Sequence, residues 1–238
     1  VGLVARDLVV RLEGQLAGLG QVVDRVGALV RADRRVAGRA ATAAALVIAA
    51  TAAAADLGFP VAVKIVSPQA SHKTEVGGVA LGLRSAGEVR AAAETMRVRL
   101  AQHDSSARVE GFLVQEMVSG VEMILGVRED PQFGPFMLVG LGGIMVEAMR
   151  DVAIRLLPVD EATAGEMLAS LRGASLLGEF RGRPARDVDA VVAAMTGLSR
   201  LFLDHRAFLS DFEINPLIVL AKGDGARAVD VRMVPRQG

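Results

Sequence analysis

Apolar residues recur at steps of three and four through Leu16, Leu19, Val23, Val26 and Val30. That spacing predicts a helix near 13–33 with one apolar face. Arg31, Arg34 and Arg35 fall at its C-terminal end, where positive charge suits the helix dipole. A second, Ala-rich helix is expected over 40–57, stopped by Gly58 and Pro60. From Pro60 the period changes. VAVKIV (61–66) reads as a strand, SPQASHKTEVGG (67–78) as a loop and VALGL (79–83) as a second strand. Ser85, with Glu88 three residues on, makes a capping box for a helix to about Gln102. FLVQEMV (112–118) and VEMILGV (121–127) read as strands joined by Ser119-Gly120, a hairpin signal. FMLVGL (136–141) runs into Gly142-Gly143, and DVAIRLLP (151–158) is another strand. Asp160 is placed to cap a helix to about Leu171, and Asp187 to start a long one to Asp204. FLSDFEINPLIVL (208–220) reads as a strand broken by Pro216, and ARAVDVRMV (226–234) as the last strand, with GDG (223–225) as the turn between them. Hairpins mixed with separate helices indicate α+β sheets rather than a doubly wound parallel sheet.

Composition narrows the function classes. The 238 residues include no Cys, Trp or Tyr, which excludes a disulfide scaffold, a Cys-ligated zinc site and a thiol nucleophile. Basic and acidic residues balance at 27 each, so nucleic acid is not the expected main partner. Only three of the basic residues are lysines, Lys64, Lys73 and Lys222; Arg fills the rest, so each retained Lys asks for a reason. The uncharged run from Ala40 to Ala55 is 16 residues, mostly Ala, short of the ~20 apolar residues of a membrane span. The N-terminus lacks a secretory pattern and an initiator Met, so a cytoplasmic protein, processed or cut from a longer chain, is expected.

Several residues carry candidate chemistry. Lys64 lies inside an apolar strand, either facing solvent on an edge or supplying a point charge to a phosphate. The loop SHKTEVGGV holds His72 and Lys73 beside Gly77-Gly78, whose backbone N–H groups can approach phosphate oxygens. A loop His is usually only solvated, but it can also act as a nucleophile toward a phosphoryl group. Glu116 and Glu122 flank the Ser119-Gly120 turn: solvent-facing carboxylates, or a hinge whose backbone meets a base and whose carboxylate holds ribose hydroxyls. Gly142 and Gly143 form a phosphate cradle or a tight turn. Asp211, Glu213 and Asn215 alternate, so they share one strand face. A hairpin turning at 223–225 sets Asp230 opposite residue 218, a few positions from Glu213 and Asn215. Oxygen ligands of this kind suit Mg²⁺; a charged sheet edge is the plainer reading.

GFPVAVKIVSPQASHKTEVGGVALGL, VQEMVSGVEMILGVREDPQFGPFMLVGLGGIMVE, DVAIRLLP, FEINPLIV and AVDVR occur in that order. Together they resemble the ATP-grasp domain of NDP-forming acyl-CoA synthetases, the β part of ADP-forming acetyl-CoA synthetase, related to the β subunit of succinyl-CoA synthetase. The resemblance covers about 56–235. It implies two α+β subdomains enclosing a nucleotide over 46–238, after an N-terminal helical segment (1–45). It also implies an acid–CoA ligase that converts acyl-CoA, ADP and phosphate to acid, CoA and ATP through phosphohistidines. By the same resemblance Lys64 sits on the nucleotide phosphates and His72 relays phosphate. Gln115, Glu116 and Val118 belong to the adenine hinge, and Glu122 to the ribose side. Gly142 and Gly143 border the nucleotide, Arg155 meets phosphate oxygens, Glu213 stands beside the relay histidine, and Asn215 and Asp230 hold Mg²⁺. The implied partner is a CoA-binding α subunit or fused α domain, in an oligomer. A nucleotide-sensing regulatory module and an inactive fragment are the competing readings.

Overall fold

The computed structural model describes residues 29–31, 39–68, 77–143, 151–179 and 182–236. They divide between two compact units, one ending at Met117 and the other beginning at Val118. Helix α1 (Arg39–Leu57) runs through the boundary expected at residue 45, and of residues 1–38 only 29–31 are described.

The first unit is an antiparallel sheet in the order β1–β4–β2–β3, with β1 at Leu29–Arg31, β2 at Val61–Val66, β3 at Val79–Leu83 and β4 at Gly111–Glu116. The helix predicted over 13–33 is corrected at its end: Leu29–Arg31 is a strand paired with Leu113–Gly111. A short apolar stretch reads as either period, and the open edge of β4 decides it by offering backbone partners. α1 and α2 (Ala86–His103) line one face of this sheet. Leu46, Val47, Ala50 and Ala54, and Val89, Ala93, Met96 and Leu100, are the buried stripes of the two helices. They meet Val61, Val63, Ile65, Phe112 and Val114 from the strands. α2 starts as expected on Ser85, whose Oγ accepts from Glu88 N–H at 3.2 Å; the Glu88 carboxylate reaches back to Arg84 N–H at 2.9 Å, one residue earlier than a capping box requires.

The second unit is a larger antiparallel sheet, β10–β8–β5–β6–β7, with β9 also paired to β8. Its strands are β5 (Val121–Asp130), β6 (Gly134–Leu141), β7 (Val152–Leu156), β8 (Leu209–Val219), β9 (Ala226–Ala228) and β10 (Val231–Pro235). α3 (Glu161–Ala169) and α4 (Val188–Asp204) cover one face, capped by Asp160 and Asp187 as predicted. Their Met167, Leu168, Met195, Leu198 and Phe202 pack with Met123, Leu125, Met137, Val139 and Leu217 of the strands. Burying a side chain of this size contributes about 1.5–3 kcal/mol. The alternate strand residues, including Glu122, Gly126, Arg128 and Glu213, fall on the face away from the helices.

Three strand expectations are corrected. β4 and β5 do not form a hairpin: β4 pairs β1 and β2, whereas β5 pairs β6 and β8. Gly120 is required instead by close approach to β8, since a Cβ there would lie 2.4 Å from the Val219 carbonyl oxygen. β8 is not broken by Pro216 but continues through it with a cis Asn215–Pro216 peptide. The last strand divides into β9 and β10, with Val229 and Asp230 between them.

Candidate functional site

Lys64 does not occupy a sheet edge. β2 lies between β4 and β3, and Lys64 is only 7% exposed. Val61, Val63 and Ile65 point to the helices, so the alternation turns Lys64 to the other face, with Ala62. On β4 the same face carries Leu113, opposite Lys64, and Gln115, opposite Ala62. Lys64 and Gln115 are therefore diagonal neighbours on adjacent strands. The Gln115 Oε1 is buried without a hydrogen-bond partner, an acceptor left for an N–H donor. Glu116, the last residue of β4, is exposed, and Met117 N–H donates to Pro60 O at 3.2 Å.

In the second unit the sheet face away from α3 and α4 carries Glu122, Asp211 and Glu213, with Asn215 and Asp230 beside them. Between Met123–Leu217 and Leu125–Ile214 the register shifts, so Asn215 and Pro216 together oppose Ile124. This is a β-bulge, a device that re-aims a side chain. Asp230 faces Asn215 rather than Ile218, which pairs with Arg227. The expected register is corrected because the turn closes earlier, with Leu220 N–H on Gly225 O at 3.0 Å and Asp224 N–H on Ala221 O at 2.9 Å. Asn215 N–H then donates to Asp230 O at 2.9 Å, which sets the two residues at adjoining positions. The Asn215 Nδ2 donates to Glu213 Oε1 at 3.2 Å, which leaves Asn215 Oδ1 as an acceptor. Among the described residues no group of three His, Asp or Glu side chains is placed to hold a metal. An amide oxygen and a carboxylate fit Mg²⁺, which takes few protein ligands and completes its shell with phosphate oxygens and water.

Two residues beside this pair carried no sequence signal. Arg232 pairs with Glu213 in register, its Nη2 lying 3.8 Å from Glu213 and 3.3 Å from Asp211. Asp211 also receives Arg128, from Nε at 2.7 Å. Asp211 is thus a buried anchor between two arginines. Only pairing across strands brings these residues together, and sequence spacing does not encode it.

Glu122 meets the glycine pair. Gly142 N–H donates to the Glu122 carbonyl at 2.6 Å, and a Cβ on Gly142 would sit 2.9 Å from the Glu122 Cβ. At Gly143, with φ +85°, a Cβ would lie 3.2 Å from Glu122 Oε2. The glycines let the turn close over Glu122, so the cradle and the carboxylate form one feature.

The structure separates other candidates. Glu116 and Glu122 belong to different sheets. Arg155 is on β7, three strands from β8, or roughly 14 Å at ordinary strand spacing. It pairs with buried Met137, so it lies on the helix-covered side rather than with Glu213, and its Nη1 donates to Ile154 O at 2.9 Å. That alternation sets Arg155 apart from Glu213 on the sheet. His72 and Lys73 lie outside the described residues. No helix among the described residues is long and apolar enough to cross a membrane.

A sequence profile of the ATP-grasp domain matches residues 35–234. The chain belongs to the ATP-grasp family. The β subunit of ADP-forming acetate–CoA ligase II from Pyrococcus furiosus is 35% identical over 182 residues, 76% of this chain and 77% of that subunit. The ADP-forming 4-hydroxybutyrate–CoA ligase of Nitrosopumilus maritimus is 37% identical over 185 residues, 77% of this chain but 26% of that enzyme. This ATP-grasp chain therefore spans about a quarter of the longer relative. Acetyl-coenzyme A synthetase 1 of Ca. Korarchaeum cryptofilum, solved with coenzyme A, Ca-AMPCP and HgCl⁺, superposes with a TM-score of 0.77 at 32% identity, covering 98% of this chain and 100% of that one. The ATP-grasp match begins just before α1 and includes both sheets from β2 onward.

Proposed function

We propose that this chain is the nucleotide-binding, phosphoryl-transferring part of an ADP-forming acyl-CoA synthetase. The reaction is acyl-CoA + ADP + phosphate = acid + CoA + ATP. Phosphate displaces CoA from the acyl group, giving an acyl phosphate on a CoA-binding α subunit or fused α domain. The phosphoryl group then passes through histidine to ADP. In this reading a His72 ring nitrogen carries it last, and the N–P bond breaks as a β-phosphate oxygen of ADP attacks. The substrates are cytoplasmic metabolites, and the assembly contains both parts.

The observation that carries this reading is the Asn215–Asp230 pair beside Glu213, in a chain similar to acid–CoA ligases. Asn215 and Asp230 would hold Mg²⁺, which when bound offsets phosphate charge. Lys64 supplies a fixed cation for the nucleotide phosphates. Gln115, Glu116 and Val118 meet the base, and Glu122, closed on by Gly142 and Gly143, takes the ribose hydroxyls. Glu213 orients the relay histidine. Phosphoryl transfer is chiefly positioning and charge neutralisation, which these groups can provide.

The test is the half-reaction. Incubated with Mg-ATP labelled at the γ-phosphate, the chain takes up acid-labile, base-stable label as His72 displaces ADP. His72→Ala abolishes the label while calorimetric titration still shows Mg-ADP binding. A folded parent chain that binds neither nucleotide refutes the reading. One that binds Mg-ATP but stays unlabelled, with or without a CoA-binding partner, leaves the nucleotide-sensing module as the function.

A further inference from the structure

Among the described residues, Lys222 is the lysine that the proposed chemistry leaves without a role. It lines a cavity of about 370 Å³ on the helical side of the second unit, a size within the usual range for small-ligand sites. Leu168 and Ala169 of α3, with Ala174, Leu177 and Ala185, make apolar walls, while Gly165 and Gly178 leave the hollow open. Arg186, Lys222 and Asp189 are its charged lining residues, a surplus of one positive charge.

The two cations are held at one wall by backbone bonds. Arg186 forms an isolated antiparallel bridge with Ala221, and Lys222 N–H donates to Ala185 O at 2.9 Å. Arg186 N–H is fixed on Leu177 O at 2.8 Å. The nearby Asp187 carboxylate is occupied by Ala190, Gly223 and Gly225 N–H, and Lys222 acts on it through charge. The Arg186 Nε is buried with no hydrogen-bond partner. Two like charges beside an apolar hollow, one with an unused donor, favour an anion of single charge with an apolar body. With Asp189 also in the lining the net charge is +1, which one carboxylate balances and a phosphate dianion exceeds.

We propose that this cavity binds a small monocarboxylic acid, its carboxylate on Arg186 and Lys222 and its tail against Leu168, Ala174 and Leu177. The site is separate from the nucleotide face, which lies on the opposite side of the same sheet. The acid is also the class of product released in the proposed reaction. That link, unlike the site, rests on the proposed function.

Calorimetric titration of the full chain with hexanoate and phenylacetate tests it, with hexanamide as the uncharged comparison. Both acids bind, and hexanamide binds about tenfold more weakly or not at all, since a charge-assisted bond is lost. Lys222→Ala and Arg186→Met each weaken the acids by about tenfold or more. Gly165→Leu intrudes on the hollow and abolishes acid binding; a Cβ there meets nothing within 4 Å, and an unchanged urea midpoint checks that the fold is kept. Mg-ADP affinity is unchanged in all three variants, which separates failure of this site from failure of the nucleotide reading. Absence of acid binding at millimolar concentration overturns the proposal, as does equal binding by hexanamide or by the Gly165→Leu chain.

Discussion

Replacing Asp187 by Ala removes the junction between α4 and the turn after β8. Its Oδ1 accepts from Ala190 N–H at 3.1 Å, and its Oδ2 from Gly223 and Gly225 N–H at 2.9 and 2.8 Å. The residue is 9% exposed. Loss of the helix cap costs about 1 kcal/mol. The buried Gly225 N–H, left without an acceptor, adds about 1–3 kcal/mol, while the Gly223 donor is open to water. A loss of about 3 kcal/mol is therefore expected, a large fraction of the ~5–15 kcal/mol of a typical domain. Urea denaturation measures it as a lower midpoint with unchanged slope. Asp187→Asn retains one acceptor but turns an NH₂ toward donors, and loses about 2 kcal/mol. The pH dependence supplies a second reading. Burial works to raise the Asp187 pKa, but the hydrogen bonds from Gly225, Ala190 and Gly223, aided by the Lys222 charge, hold it below the ordinary value. A lowered folded pKa means stability present above the unfolded value of about 3.9 and withdrawn as pH falls through the folded one. The gap between parent and Asp187→Ala thus narrows in acid. A loss under about 1 kcal/mol at neutral pH, or a gap constant down to pH 3, refutes this account.

Asp230→Asn leaves the unfolding free energy in urea within about 0.5 kcal/mol of the parent, because an exposed side chain is changed, yet it reduces the gain in nucleotide affinity on adding Mg²⁺. Calorimetric titration with and without Mg²⁺ checks this, and an unchanged Mg²⁺ dependence removes Asp230 from the metal site. Gly142→Ala forces a Cβ to within 2.9 Å of Glu122, displacing the turn and its 2.6 Å hydrogen bond. It costs about 1–3 kcal/mol in denaturation and weakens nucleotide binding; parental values for both would show that the turn has room to shift.

Much of this molecule was legible in its sequence because the signals are local. The apolar run VAVKIV and the Ser85, Asp160 and Asp187 caps each express strand propensity or capping chemistry within a few residues. Lys64 stood out against an Arg-rich background, and ordered motifs from 56 to 235 identified the ATP-grasp family. Pairing between distant strands was not legible. Ser119-Gly120 resembles a hairpin turn, yet its flanking strands enter different sheets, and glycine is needed there to pass the Val219 carbonyl. Leu29–Arg31 fits a helical stripe until the edge of β4 offers it a ladder. Asp230 reaches Asn215 because the turn closes at Ala221–Asp224 and a bulge absorbs Asn215–Pro216. A residue's own period records which way its side chain points, whereas its neighbour across the sheet is set by register, turn closure and the helices that cover one face. That is why the sequence determined the site's residue types, and only the tertiary structure decided that Asp230 meets Asn215, that Arg232 joins Glu213, and that Arg155 stands apart.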